Sequence, residues 1–280
     1  MSPAIQLKGR ELRLRRPPLV MGILNATPDS FSDGGKPATL ERALAMLDDG
    51  ADILDVGGES TRPGAEAVPL DEELRRVVPL IAALRRSRPG CVISVDTYKA
   101  EVARQALEAG ADIVNDISAG LLEPEILAVA AEHQAAVVLM HMQGNPRTMQ
   151  QAPRYNNVFE EVKAHLLDAA ARAMAAGAPR ESVILDPGLG FGKTLEHNLE
   201  LAARTPELRG LGFPLLVGHS RKSFVGTLLG GVPPDKRLFG TVGASCALAG
   251  LGADILRVHD VKENVEALKV FQAISGLTPR

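Results

Sequence analysis

Residues 48–58 read DDGADILDVGG, and the same opening returns as EAGADIVNDI at 108–117 and as GLGADILRVHD at 250–260. In each copy a segment of helical period stops at a glycine, Gly50, Gly110 or Gly252, and an apolar run follows an Ala-Asp pair. A helix that ends on a left-handed residue favours glycine, because a side chain there would crowd the backbone. Three copies of one helix-to-strand turn therefore predict three strands entered from the same end of one sheet.

The pattern extends over the whole chain. Eight short runs rich in Val and Ile lie at 18–24, 52–56, 92–95, 112–114, 136–140, 183–185, 214–217 and 254–258, separated by longer segments of helical period. Strands that alternate with helices build a parallel sheet. Eight such units in 280 residues match a closed α/β barrel, the (β/α)8 or TIM barrel, better than an open doubly wound sheet. No linker divides the chain, so residues 1–280 are expected to form one domain with a short N-terminal extension over about 1–17. The stretch from Ile5 to Leu14 reads as a hairpin that plugs or flanks the barrel. Thr39 and Asp71 are expected to open helices, and 156–176 to be the longest one.

Composition narrows the function. With 45% apolar residues and 27 Gly and 19 Pro spread along it, the chain has the makings of a large core. A net charge of -3 gives no reason to expect nucleic acid or an anionic membrane surface as a partner. Cys91 and Cys246 fit no metal spacing and read as reduced core thiols. MSPAIQLKGRELRLRRPP lacks the apolar run of a signal peptide, and no stretch approaches the ~20 apolar residues of a membrane span. A soluble cytoplasmic protein is expected. His133, His165 and His197 fall in helical segments and read as surface residues.

In such a barrel the active site forms where strands end, and those positions are polar here: Asn25, Asp55 with Glu59, Asp96, Asn115 with Asp116, His141, Asp186, Ser220 to Ser223, and Arg257 with His259. One alone would pass for a helix cap; the set does not. Asn25, Thr61, Arg62, Lys222, Arg257 and His259 are donors or cations suited to phosphate oxygens. Asp96, Asn115 and Asp186 suit a flat ligand with several N–H groups. A polar heterocycle carrying phosphates would satisfy both sets. The glycine-rich loops DSFSDGGKP, GGESTRPGAE and DPGLGFGK match neither a phosphate-binding P-loop nor a dinucleotide fingerprint.

Eight segments, MGILNATPDSFSDGG, DVGGESTRPGA, ISVDTYKAEV, ADIVNDISAG, VLMHMQGNPRTMQ, LDPGLGFGKT, SRKSF and LRVHDVKENVEA, stand in the order of the dihydropteroate synthases, which the chain resembles over nearly its whole length. The resemblance implies a TIM barrel, usually a homodimer, that joins 6-hydroxymethyl-7,8-dihydropterin diphosphate to p-aminobenzoate in folate biosynthesis, with Mg2+, and that sulfonamides inhibit. Matched by motif, Asp96, Asn115, Met140, Asp186, Lys222 and Arg257 fall at pterin-binding positions. Asn25, Thr61, Arg62, Arg257 and His259 fall at diphosphate positions, Asn25 also at the metal-linked one. Phe31, Pro63, Phe191 and Ser223 match the side that receives p-aminobenzoate. The resemblance implies a catalytic set of Asp96, Asp186, Lys222, Arg257 and His259. DTYKA in place of DTSKP, Leu189 in place of a common Phe, and His219 before SRKS at a variable position are the departures.

The chemistry fits these residue types. One carboxylate can accept both the N–H and the amino group of a pterin's pyrimidine edge, the role expected of Asp186. Cations beside the leaving pyrophosphate and carboxylates beside a transient pterin cation would then stabilise C–O cleavage. Asp29 is placed in a closing loop, and the helix starting near Ser223 is expected to meet the p-aminobenzoate carboxylate. Three other readings compete: the pterin-binding barrel of a corrinoid-linked methyltransferase, a non-catalytic pterin-binding homologue, and an aldolase-type Schiff base on Lys222.

Overall fold

The computed structural model describes residues 4–26, 39–60, 67–144 and 148–276. A hairpin of β1 (Ala4–Leu7) and β2 (Arg10–Arg13) comes first. Then follow β3 (Leu19–Asn25), α1 (Leu40–Asp48), β4 (Ile53–Gly57), α2 (Leu70–Ser87), β5 (Val92–Asp96), α3 (Ala100–Glu108), β6 (Ile113–Asp116), α4 (Glu125–Glu132) and β7 (Ala136–Met140). The second half runs α5 (Val158–Ala175), β8 (Val183–Asp186), α6 (Leu195–Ala203), α7 (Thr205–Arg209), β9 (Leu216–Gly218), α8 (Ser223–Leu228), α9 (Leu238–Gly250), β10 (Ile255–Val258) and α10 (Val261–Ser275). The strand order is β8-β7-β6-β5-β4-β3-β10-β9, every pair parallel, and a bridge from Leu185 to Leu215 joins the two ends. All eight expected strands are present in a (β/α)8 barrel.

The repeated Gly-Ala-Asp turn is visible as structure. Gly50, Gly110 and Gly252 have φ of 102°, 115° and 99°, each just after a helix. The aspartates that follow bind in the same way. Asp52, Asp112 and Asp254 accept the backbone N–H of Val20, Ile93 and Leu215, on the strand or approach next door. Each also takes an arginine of the N-terminal segment, Arg15, Arg10 and Arg16 respectively. The hairpin thus plugs the barrel floor. Its Ile5 and Leu7 pack with Leu19, Met21, Ile53, Val92, Ile113, Ile184, Leu216 and Ile255 in one interior apolar cluster.

Two helix expectations change. Thr39 caps α1 as expected, but α2 begins at Leu70 with Pro69 at the cap, and Asp71 lies in its first turn. Proline's fixed φ suits the approach to a helix, so the start moves two residues earlier. The helix from Asn157 is eighteen residues long, as long as α2, with the Asn157 side chain capping it.

Candidate active site

A β-strand repeats every two residues, so the residue two beyond a floor residue points into the same barrel interior one step closer to the mouth. From Ile53, Ile113, Ile184 and Ile255 that step reaches Asp55, Asn115, Asp186 and Arg257. Val92 leads through Ser94 to Asp96, Val138 to Met140, and Leu216 to Gly218. Cα pairing sets Asp96 beside Gly57 and Asn115, Asp186 beside Met140, and Arg257 beside Gly218. An apolar floor therefore carries a polar layer, fixed by strand register.

Arg257 is the centre of that layer. Its Nε donates to Asp55 Oδ2 at 2.6 Å and a terminal nitrogen to Asp96 Oδ2 at 2.5 Å, while Asn115 Nδ2 donates to Asp55 Oδ2 at 3.0 Å. Burial works against the guanidinium's charge, but Asp55 and Asp96 together hold it above its ordinary range. Burial raises Asp96 to about 7, with Arg257 opposing and Asp55 adding. Burial also raises Asp186, whose Oδ1 accepts Gly188 N–H at 2.8 Å. Asp55 Oδ1 and Asp96 Oδ1 are buried with no donor among the described residues, the kind of acceptor a ligand N–H would satisfy.

Lys222 leads into α8 and turns its ammonium to Leu189 O and over the Phe191 ring, 4.5 Å from the centroid. Burial lowers it to about 8, against the pull of Asp186. Gly190 is required under it, since a Cβ there would lie 2.9 Å from Lys222 Cδ. Arg221, left-handed at φ 57°, is gripped by Asp260. His259 follows Arg257 by two residues, and its Nδ1 lies 3.0 Å from Ser220 Oγ. Asn25 ends β3, paired in register with Gly57.

The structure thus brings Asp96, Asn115, Met140, Asp186, Lys222, Phe191 and Arg257 to one barrel mouth, with His259 and Asn25 on neighbouring strand ends. Phe31, Thr61, Arg62, Pro63 and Asp29 lie outside the described residues. Ser223 opens α8, six residues long, as expected. Two expectations are corrected. His133, His165 and His197 are half-buried rather than surface residues, and the His165 ring lies 4.8 Å from that of His141 in an edge-on contact. Cys91 and Cys246 are both half-buried, and Cys91 packs against the core rather than within it.

Asp55 belongs to the site although it was not among the expected binding residues. Its signal was the spacing Ile53 to Asp55, identical to the spacing that leads to Asn115, Asp186 and Arg257. Lys193 and Tyr155 also lie close to the site; Lys193 closes the glycine-rich motif DPGLGFGK, whereas nothing local in the sequence marks Tyr155. Among the described residues no group of three or more His, Cys, Asp or Glu could hold a metal ion.

Comparison with known proteins gives this geometry a family. The family model described as pterin binding enzyme matches residues 21–259. Dihydropteroate synthase of Synechocystis sp. is 54% identical over 261 residues, 91% of this chain and 89% of that protein. The Escherichia coli K12 enzyme of the same name is 52% identical over 260 residues, 91% of each. The crystal structure of Yersinia pestis dihydropteroate synthase with a sulfonamide drug complex superposes with a TM-score of 0.91 at 47% identity, covering 98% of this chain and 99% of that one. The Burkholderia cenocepacia enzyme complexed with 7,8-dihydropteroate gives 0.88 at 44% identity, covering 98% and 97%. With a polar layer of this composition at its mouth, the chain belongs to the pterin-binding enzyme family, among the dihydropteroate synthases.

Proposed function

We propose that this chain, as one barrel domain, condenses 6-hydroxymethyl-7,8-dihydropterin diphosphate with p-aminobenzoate, releasing 7,8-dihydropteroate and pyrophosphate for folate biosynthesis. The observation that carries the assignment of roles is the buried layer in which Asp55, Asp96, Asn115 and Asp186 surround Arg257 beside Lys222. Asp186 accepts the N–H and amino hydrogens of the pyrimidine edge, with Asp96, Asn115, Met140 and Lys222 around the ring. The C–O bond to the diphosphate breaks first; the carboxylates stabilise the resulting pterin cation, and Arg257 and His259, with Thr61 and Arg62, take up charge on the pyrophosphate. The neutral aniline nitrogen then attacks the CH2 carbon and gives up a proton, against a wall that includes Phe31, Pro63, Phe191 and Ser223.

Mg2+ fits this site as a cation that arrives with the substrate. Asn25 offers one amide oxygen at the mouth, and Mg2+ ordinarily completes its shell with water and substrate phosphates. When bound it would neutralise charge on the leaving group. We place the enzyme in the cytoplasm; no helix among the described residues is long and apolar enough to cross a membrane. A homodimer is supported by an apolar face on α9 and α10, where Phe239 is 87% and Ile274 81% exposed beside Val270. The test is pyrophosphate release and dihydropteroate formation from the two substrates, with and without Mg2+. Absence of dihydropteroate would overturn the reading; methyl transfer from methyltetrahydrofolate would replace it with the corrinoid-linked one.

A further inference from the structure

Between Asp186 and α6 the chain runs through Gly188, Gly190 and Gly192, with φ of 66°, 84° and 64°. Every second residue is left-handed, so successive peptide planes turn and their carbonyls point in different directions. All four carbonyls from Leu189 to Gly192 are taken by side chains. Leu189 O accepts from Lys222 and Gly190 O from Gln150. Phe191 O accepts from Lys193 at 2.9 Å and Gly192 O from the Tyr155 hydroxyl at 2.7 Å. The contact with β7 leaves no slack either: a Cβ on Gly188 would lie 2.0 Å from His141 O.

Lys193 is the unusual member. It is 3% exposed, and its Nζ lies 2.9 Å from His141 Nδ1 and 3.3 Å from His141 O. Among the described residues no carboxylate forms an ion pair with it. A buried lysine without a counter-ion is costly, and an apolar side chain of the same length would fill the space at lower cost. Burial, with Lys222 adding, pushes it well below the ordinary lysine range, and burial lowers His141 to about 2. What a Met or Leu could not supply is the bridge from the end of β7 to the Phe191 carbonyl. That bridge fixes the segment whose aromatic ring lies against the Lys222 ammonium.

We propose that Lys193, with Tyr155 as its partner on the next carbonyl, is a positioning residue for the condensation. By clamping the Phe191–Gly192 backbone to β7 and to the segment before α5, it holds the Phe191 ring where the second substrate must lie. This rests on the reading of Phe191 as part of the p-aminobenzoate wall. The heterocycle acceptors are held by other contacts: Asp96 and Asn115 stand on other strands, and Asp186, which feels the Lys193 amine only through space, is tied to Gly188 ahead of the clamp.

The test is Lys193→Met, which matches the length and removes the nitrogen. The KM for p-aminobenzoate is expected to rise about tenfold and kcat to fall, with the Kd for pterin diphosphate changed by less than about twofold. Thermal stability should change little, because the cost of burying the amine is removed while His141 Nδ1 and the Phe191 carbonyl lose its hydrogen bonds. Unchanged p-aminobenzoate kinetics would overturn the proposal. So would equal loss of both substrates together with a lower melting temperature, which is the signature of a merely structural residue. If Lys193→Met does not fold, Tyr155→Phe carries the test: the same split in smaller measure is expected, and an unchanged p-aminobenzoate KM overturns the proposal. Failure of the wild-type enzyme to form dihydropteroate would instead refute the underlying functional reading.

Discussion

Replacing Asp55 by asparagine would change the shape of the site little and remove a charge on which Arg257 rests. The Asp55 side chain is fully buried, and one oxygen accepts from both Arg257 and Asn115. An asparagine can turn its carbonyl to those donors, but its NH2 then occupies the place of Oδ1, which has no partner among the described residues. Each retained bond falls from a charge-assisted value of about 1.5–3 kcal/mol toward about 0.5–1.5 kcal/mol, and a buried donor is orphaned. Arg257 keeps Asp96, so the loss stays below that of a wholly unpaired charge, at about 2–3 kcal/mol. With an unfolding entropy of about 2.1 cal/mol/K per residue over 280 residues, the melting temperature should drop by about 3–5 °C. If the misplacement of Arg257 reaches the transition state in full, kcat/KM falls by roughly 30- to 150-fold. Asp55 also pushes Asp96 upward, so in Asp55→Asn the acid limb of the kcat/KM profile should move to lower pH. Differential scanning calorimetry and steady-state kinetics check both. An unchanged melting temperature with an acid limb that stays in place would refute the view that Asp55 supports Arg257.

Further outcomes are expected. In the wild type, kcat/KM for the pterin diphosphate should rise with pH through about 7, as Asp96 loses its proton, and fall above about 8, as Lys222 loses its charge. Lys222→Arg keeps the charge and should carry the alkaline limb out of range; a limb that stays would assign it to another group. Phe239→Asp places a charge on the exposed α9–α10 face and should yield monomers by light scattering, whereas an unaltered dimer would put the interface elsewhere. Asp112→Ala strips Arg10, Arg85 and the Ile93 N–H of one acceptor and should cost about 2–4 kcal/mol in chemical denaturation, more than Asp52→Ala; equal stabilities would deny the hairpin its latch.

What could be read from the sequence was whatever rests on local rules. A glycine after a helix marks a positive φ, so the three Gly-Ala-Asp turns and their strands were legible. Strand ends were less so. Asp96, Asp116, Asp186 and Gly218 break the apolar pattern yet extend their strands, because ladder pairing belongs to the backbone and not to the side chain. His165 has helical spacing like any surface residue; only the packing of α5 on β7 shows that its ring meets His141. Lys193 closes a glycine-rich motif and looks there like a cation for phosphate. Its burial depends on His141 and Phe191, two groups that sequence distance does not connect.

The same two-residue step also orders charge along the barrel axis. In the polar layer, Asp55, Asp96 and Asp186 face Arg257 and Lys222, so with all five groups charged the layer carries one excess negative charge. Burial weakens that excess by holding Asp96 near neutrality, which leaves the layer poised to answer a positive charge. His259 stands two residues past Arg257, about 7 Å nearer the mouth at the rise of a strand. Asn25 ends its own strand, β3, next to β10. On the proposed reading, a pterin diphosphate lies with its ring down and its phosphates outward. Cleavage of the C–O bond then develops positive charge among carboxylates and negative charge toward the mouth. The opposite orientation would press the phosphates against Asp55, Asp96 and Asp186, and like-charge repulsion disfavours it.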